Sequence, residues 1–319
     1  MKLYPLLFTP IFKERIWGGT KLQTYLNKTI SSETTGESWE ISTVPDDVSV
    51  VSNGALKGKN INEIIAIAPT EFLGTSVLER FGKQFPLLFK FIDAKDDLSI
   101  QLHPNDALAK ERHNSFGKTE MWYVMQADEN SRLVVGFKED TNKEAYLKHL
   151  ENKSIITLLK EVPVKKGDVF FLETGTVHAI GAGVVIAEIQ QTSDITYRIY
   201  DWDRVDANGK GRELHTDLAL DAINYNKTHS KIEYSTFENK SNEVVDCPYF
   251  KTNLIPLQGD YLWSKKQEAF TVLMCIDGEC EFDYEEEKFI LKAGNTILLP
   301  ACIERIVLKG NATVLEISI

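Results

Sequence analysis

Cysteine is scarce in this chain of 319 residues: Cys247, Cys275, Cys280 and Cys302 all fall in the last quarter, and no two have Cys-x-x-Cys spacing. That scarcity excludes a disulfide framework and a thiolate metal site, makes a reducing cytoplasm the expected compartment, and marks the four as small core residues. Positive charge is short as well. Lys and Arg number 36 against 47 Asp and Glu, a formal net charge of −11, which argues against a general nucleic-acid or anionic-membrane binder and leaves room only for a local basic pocket. No apolar run approaches the roughly 20 residues of a membrane-spanning helix. The apolar start, residues 3–8, is soon followed by Lys13, Glu14 and Arg15, so it is too short for a signal segment. With 43% hydrophobic residues the chain is expected to be soluble and globular, with one large core or two smaller ones.

What is present is mostly strand. Apolar segments punctuated by Gly, Asp or Asn occur at 85–92, 99–103, 120–126, 133–137, 169–172, 184–190, 270–276, 296–299 and 313–317. Helical patterns are fewer, at 62–68, 71–81, 143–150, 155–160 and 216–224, the last behind a Thr216 cap. An internal repeat organises these pieces. Lys166-Gly167-Asp168-Val169-Phe170-Phe171-Leu172 matches Ala293-Gly294-Asn295-Thr296-Ile297-Leu298-Leu299, and upstream the run from Trp122 to Asp128 matches the run from Thr271 to Asp277. Two copies of one β-barrel unit follow, divided by the polar stretch 238–246. In this alignment Glu120 falls on Ala269 and His178 on Arg305, so only the first copy carries candidate metal ligands.

Those candidates are Gln101, His103, Glu120 and His178. Side chains alternate along a strand, so Gln101 and His103 share a face, and Pro104 ends the strand and leaves the pair at its mouth. Glu120 opens a strand of the same unit, and His178 lies between the turns at 173–176 and 181–183. Mixed nitrogen and oxygen donors suit a divalent cation such as zinc, with a position left open. His113, His149, His215 and His229 read as hydrogen-bonded structural residues, Glu285 to Glu287 as a solvated hairpin tip, and Trp17, Trp39 and Trp122 as packing aromatics. For Arg198, Asp194 and Asp201 stand within reach for an ion pair.

Five motifs in order carry a resemblance: Phe85-Pro86-Leu87-Leu88-Phe89-Lys90-Phe91-Ile92-Asp93-Ala94; Leu98-Ser99-Ile100-Gln101-Leu102-His103-Pro104; Gly117-Lys118-Thr119-Glu120-Met121-Trp122-Tyr123; Gly175-Thr176-Val177-His178-Ala179-Ile180-Gly181; and Gln191-Thr192-Ser193-Asp194-Ile195-Thr196-Tyr197-Arg198. With Trp17-Gly18-Gly19 and Glu37-Ser38-Trp39-Glu40 they span nearly the whole chain. It resembles the short bacterial form of class I mannose-6-phosphate isomerase, a zinc-dependent cupin family, and lacks the large helical domain of the longer members. The resemblance implies a mainly β protein of two cupin-like (jelly-roll) β-barrels with helical insertions, a catalytic domain at 1–237 and a metal-free cupin domain at 238–319. It implies one Zn2+ per chain on Gln101, His103, Glu120 and His178, an active-site Arg198, and Lys118 as acid or base. Ser99, Lys90, Glu188 and Asp194 are implied near the substrate.

The chemistry implied is interconversion of mannose 6-phosphate and fructose 6-phosphate through a cis-enediol. The residue types suit it: a metal to polarise the carbonyl, a lysine within reach as base, and the planar fork of an arginine for phosphate or oxyanion. The partner is then a small hexose phosphate, with neither nucleic acid nor membrane. A non-catalytic, metal-dependent sugar-phosphate sensor would need the ligands but no base. A cupin oxygenase would use two histidines and a carboxylate on iron, a role for which Gln101 is superfluous.

Overall fold

The computed structural model describes residues 2–205 and 208–319. Its strands form three large sheets. The first is seven-stranded, in the order Ile11–Gly19, Thr35–Ile41, Leu87–Ala94, Val184–Gln191, Glu120–Ala127, Val169–Leu172 and Lys231–Ile232. Five strands make the second: Tyr197–Tyr200, Ile100–Leu102, His178–Ile180, Arg132–Phe137 and Leu159–Pro163. The third joins Asn242–Asp246, Lys251–Ser264, Arg305–Ser318, Thr271–Tyr284 and Glu287–Lys292, with Thr296–Leu299 paired to Thr271–Tyr284. The protein is thus mainly β with a cupin domain, but the sheets face one another as sandwiches and do not close into barrels.

The alternation of side chains explains how the layers stack. Along Glu120–Ala127, Trp122 and Val124 join Ile92, Leu133, Phe170, Ile180 and Ile186 in the core between the first two sheets. Met121, Tyr123 and Met125 point the other way, into a second core with Phe89, Phe91, Phe72, Phe270 and Ile317. Both faces are covered, which is why the central strands read as near-continuous apolar runs. That second core also holds the helical insertions against the third sheet, whose own interior packs Trp263, Leu273, Phe282, Phe289, Leu299 and Val314. The chain start belongs there too, since Leu6 bridges to Leu298.

Several expectations need correction. The helix expected at 71–81 is two, Pro69–Leu73 and Thr75–Phe81, broken at Gly74, where φ is 88° and a Cβ would stand 2.1 Å from Glu268 O. The helix at 216 runs Thr216–Leu220 without a side-chain cap, and His215, not Thr216, is its N-cap. At 155–160 a short 3-10 turn, Ile155–Leu158, passes into the strand Leu159–Pro163. Asp106–His113 is a helix that periodicity did not reveal, capped by the Asn105 side chain and stopped by left-handed Asn114. Within the dividing stretch 238–246, Asn242–Asp246 is a strand of the third sheet. Cys275 and Cys280 are buried as expected, whereas Cys302 is exposed.

The largest difference lies in the third sheet, where Lys251–Ser264, Thr271–Tyr284 and Arg305–Ser318 each run for 14 residues. The sequence pattern marked only 270–276 and 313–317 of these and nothing in 251–264. Gly259 pairs with Gly310, and Gly310 with Cys280, at a corner where the strands bend. A Cβ on Gly310, at φ 134°, would stand 2.5 Å from Glu279 O, and one on Gly278 2.1 Å from Asn311 O, so these two glycines permit close strand approach instead of ending strands.

Register also corrects the repeat. Val169 lies opposite Tyr123, and its counterpart Thr296 lies opposite Met274. Glu120 therefore corresponds to Thr271, two residues beyond Ala269. His178 and Arg305 do correspond, pairing with Gln101 and Ser264 respectively.

Candidate metal centre and active site

Three short strands and one long one deliver the polar residues. Gln101 pairs with His178 on one side and Arg198 on the other, which aligns three candidates across the second sheet. Glu120 enters from the facing sheet, at the start of Glu120–Ala127. The donor atoms of His103, Glu120 and His178 all lie within 4.8 Å of one another, and all three residues are buried.

The tautomers are set from behind. His103 Nδ1 lies 2.7 Å from Ile195 O and His178 Nδ1 lies 2.8 Å from Thr176 O. A carbonyl only accepts, so each Nδ1 carries the proton and each Nε2 turns a lone pair inward. Burial, with Lys118 adding to it, holds the His103 imidazole well below its ordinary range. Burial likewise lowers His178 to about 4. Both rings are therefore neutral ligands at physiological pH.

Glu120 closes the set. Its Oε1 lies 3.4 Å from His178 Nε2 and its Oε2 3.6 Å from His103 Nε2. Burial raises its carboxyl pKa, against the opposing pull of Lys118. Among the described residues, Glu120 Oε1 and His178 Nε2 find no hydrogen-bond partner although both are buried. Once Glu120 is ionised the two face each other as acceptors with no proton between them, which is unfavourable by itself, and a divalent cation is the partner that satisfies both. The residues present fit a metal.

Lys118 stands beside this set, with Nζ 2.9 Å from Glu120 Oε2 and 3.0 Å from His103 Nε2. Burial opposes its charge most strongly, but Glu120 and Glu188 together outweigh that and raise its pKa. Glu188 is held by Lys90 Nζ at 2.9 Å and by the Trp122 indole N–H at 2.8 Å. Burial alone would raise the Glu188 carboxyl, and the Lys90 and Lys118 cations reverse that and hold it low.

Arg198 is half-buried. Its Nε donates to Ser99 Oγ at 3.2 Å, its Nη1 donates to Glu213 O at 2.9 Å, and Ser99 in turn donates to Gln101 Oε1 at 3.2 Å. Among the described residues Arg198 does not make the ion pair that Asp194 or Asp201 could have offered it. Asp201 is engaged by Arg204 and Arg212, and Asp194 sits exposed at the rim with no ion pair among the described residues. Burial, then the nearby Arg212, weaken the hold of Arg198 on its proton.

Lys90, Ser99, Gln101, Lys118, His178, Glu188, Asp194 and Arg198 line a cavity of about 520 Å³, and His103 and Glu120 lie behind its wall. Residues 6–149 match the family profile described as "Phosphomannose isomerase type I, catalytic domain", and residues 240–319 match "Mannose-6-phosphate isomerase, cupin domain". The chain is 38% identical to mannose-6-phosphate isomerase ManA of Bacillus subtilis over 98% of both chains. It is 36% identical to the mannose-6-phosphate isomerase of Streptococcus mutans, over 94% of this chain and 93% of that one. It belongs to the type I mannose-6-phosphate isomerase family. The crystal structure of the Bacillus subtilis mannose 6-phosphate isomerase superposes with a TM-score of 0.90 at 35% identity, covering 99% of this chain and 100% of that one. An apo mannose 6-phosphate isomerase from Salmonella typhimurium, 16% identical, shares the fold with a TM-score of 0.79 over 99% of each chain.

With the family shown, the enzyme's cavity can be compared with the residues read from sequence. Arg15, Glu37 and Arg212 also line it and were not singled out as site residues. Glu37 Oε2 accepts from Arg15 Nη2 at 2.9 Å and from the Trp39 indole at 2.9 Å. The only signal for Glu37 was its place in the Glu-Ser-Trp-Glu motif, and spacing offered none for Arg15 or Arg212. Trp17, Trp39 and Trp122 pack in the core and also form cavity wall.

Proposed function

We propose that this enzyme interconverts mannose 6-phosphate and fructose 6-phosphate through a cis-enediol, using one zinc ion held by Gln101, His103, Glu120 and His178. The observation that carries this reading is the pair of buried, unpartnered acceptors Glu120 Oε1 and His178 Nε2 beside a buried lysine. The chemistry such an ion supplies when bound is polarisation of the sugar carbonyl, alignment of the two reacting oxygens on one side, and a push on Lys118 toward the neutral amine.

Lys118 is the proton-transfer group. Its Nζ takes the proton from the carbon beside the carbonyl and returns it to the neighbouring carbon on the same face, while the hydroxyl proton of the enediol passes from the oxygen that becomes the new carbonyl to the oxygen of the old one. Glu188, held ionised by Lys90, keeps the cavity's charge balanced as Lys118 changes state. Arg198, placed by Ser99 and Glu213, presents its guanidinium to the cavity for phosphate or for the developing oxyanion. Lys90, Ser99 and Asp194 are assigned to substrate binding. We carry forward the division into a catalytic unit at 1–237 and a metal-free unit at 238–319, and a cytoplasmic location. Among the described residues no helix is long and apolar enough to cross a membrane.

The decisive experiment is a coupled assay of zinc-loaded and rigorously zinc-free protein on several hexose 6-phosphates, with solvent proton exchange measured at carbon 2. Isomerisation with exchange, lost on chelation while the fold persists, is the expected result. Full turnover without metal defeats the mechanism, and sugar-phosphate binding with neither turnover nor exchange, unaltered in Lys118→Ala, favours a sensor. Arg198→Ala is expected to lower kcat by about a hundredfold with little change in thermal stability.

A further inference from the structure

The segment that carries Lys118 is fastened from outside the cavity. Gly117 N donates to Asp106 Oδ1 at 2.8 Å, Lys118 N to Pro104 O at 3.4 Å, and Thr119 N to Gln191 Oε1 at 2.9 Å. Gln191 Nε2 then donates to the same Asp106 Oδ1 at 3.0 Å. A Cβ on Gly117 would stand 2.7 Å from Asp106 N, so the loop lies directly on the start of the helix Asp106–His113. The other oxygen of Asp106 accepts from Tyr249 Oη at 2.5 Å. Tyr249 lies in the turn between Asn242–Asp246 and Lys251–Ser264, on the third sheet. Neither Asp106, Gln191 nor Tyr249 lines the cavity.

We infer that Tyr249 and Asp106 are positioning residues for the isomerase reaction, through which the C-terminal part of the chain sets the location of Lys118. The inference rests on the reading of Lys118 as the proton-transfer group. Asp106 receives three hydrogen bonds, and two of them, from Gly117 and Gln191, fix amides flanking Lys118. The third, from Tyr249, keeps the carboxylate from rotating away. Proton transfer needs close approach of Nζ to carbon, so a displaced lysine slows the chemical step. Arg198 is held by Ser99 and Glu213, and Lys90 by Glu188, none of them through Asp106, so substrate binding is preserved.

The test is steady-state kinetics of zinc-loaded Tyr249→Phe, which keeps the ring and removes the hydroxyl. We expect kcat to fall about threefold to tenfold with KM within about twofold, and Asp106→Ala to lower kcat further. Because the two act in series, Tyr249→Phe/Asp106→Ala is expected to be no slower than Asp106→Ala alone. Tyr234→Phe is the control for mere loss of a hydroxyl: its Oη donates to Gly167 O at 2.6 Å, it packs on the same core, and its kcat is expected to hold. An unchanged kcat in Tyr249→Phe overturns the inference, as does a loss carried by KM. If Asp106→Ala does not fold, the Tyr249→Phe and Tyr234→Phe pair still decides. Lys118→Ala assayed in parallel separates the two levels. Full turnover of that variant overturns the Lys118 reading itself, whereas an inactive Lys118→Ala with a normal Tyr249→Phe overturns only the role of Tyr249.

Discussion

Glu188 and Glu316 hold corresponding places in the two cupin-like halves, and what surrounds them decides that one half carries a candidate metal centre and the other does not. Glu188 lies opposite Lys90 and Trp122; Glu316 lies opposite Asn253 and Leu273. Each accepts an indole N–H, from Trp122 at 2.8 Å and from Trp263 at 2.5 Å. The scaffold has kept a buried carboxylate twice.

The divergence is in a few side chains. Gln101 pairs with His178, and Ser264 with Arg305, so the residue two beyond each, His103 and Lys266, also correspond. Lys266 Nζ lies 3.3 Å from Glu316 Oε2. A tethered ammonium therefore stands where the first half turns an imidazole lone pair inward, and Thr271 replaces Glu120. A buried carboxylate needs a nearby cation. In the second half Lys266 supplies it within the chain, while in the first half Lys90 and Lys118 do so and a set of acceptors is left over for an ion. The comparison teaches that the strand register transmits position, and that position alone confers no chemistry.

The strongest way to break this contrast is to exchange ligands. Glu120→Gln or His178→Ala is expected to lower turnover on the order of a thousandfold with loss of bound metal, measured by elemental analysis and assay. Thr271→Val at the corresponding place is expected to leave turnover within about twofold; a large loss there ends the assignment of chemistry to the first half alone.

Next in size is the pair of buried glutamates. Glu188→Ala and Glu316→Ala each strand an indole donor and are expected to destabilise the protein by about 1–3 kcal/mol in denaturant titrations. Only Glu188→Ala is expected to slow turnover, by about tenfold or more, and equal kinetic losses would erase the distinction.

A pH experiment sharpens the contrast further. Burial raises the Glu120 carboxyl, so the ion-free site retains a proton there that a bound cation must displace. Metal affinity is expected to climb as pH rises from mildly acidic to neutral, with proton release seen by calorimetry in buffers of different ionisation enthalpy. His178, lowered to about 4 by burial, and His103 are already neutral and release none. Affinity that is flat over this range, or release that persists in Glu120→Gln, contradicts this account. The smallest effect is expected for His113→Ala, which loses the contact of Nε2 with Tyr197 Oη at 2.9 Å and about 1 kcal/mol of stability, with turnover unchanged.

Much of this was legible in the residues. Period-two alternation placed Gln101 and His103 on one face, and the repeated Gly-led strand announced two related units. Motif order pointed to the family, with Lys118 and Arg198 among its residues. Three kinds of feature were not legible. The 14-residue strands were hidden because Gly278 and Gly310 look like turns until one sees the strands they allow to approach. The repeat was offset by two residues because apolar strands match at any even shift, and only cross-strand hydrogen bonds fix the register. Arg15, Glu37 and Arg212 join the cavity from distant segments, and no local pattern marks them.

By itself the sequence determined the class of structure, the existence of two related halves and the residue types able to hold a metal, because these follow from local periodicity and donor chemistry. The tertiary structure decided which lone pairs meet. It turned both Nδ1 atoms to backbone carbonyls, left Glu120 Oε1 and His178 Nε2 without partners, and gave Asp201 to Arg204 and Arg212 instead of Arg198. Those outcomes depend on packing between segments far apart in the chain, where burial sets the cost of an unpaired charge and geometry alone selects its partner.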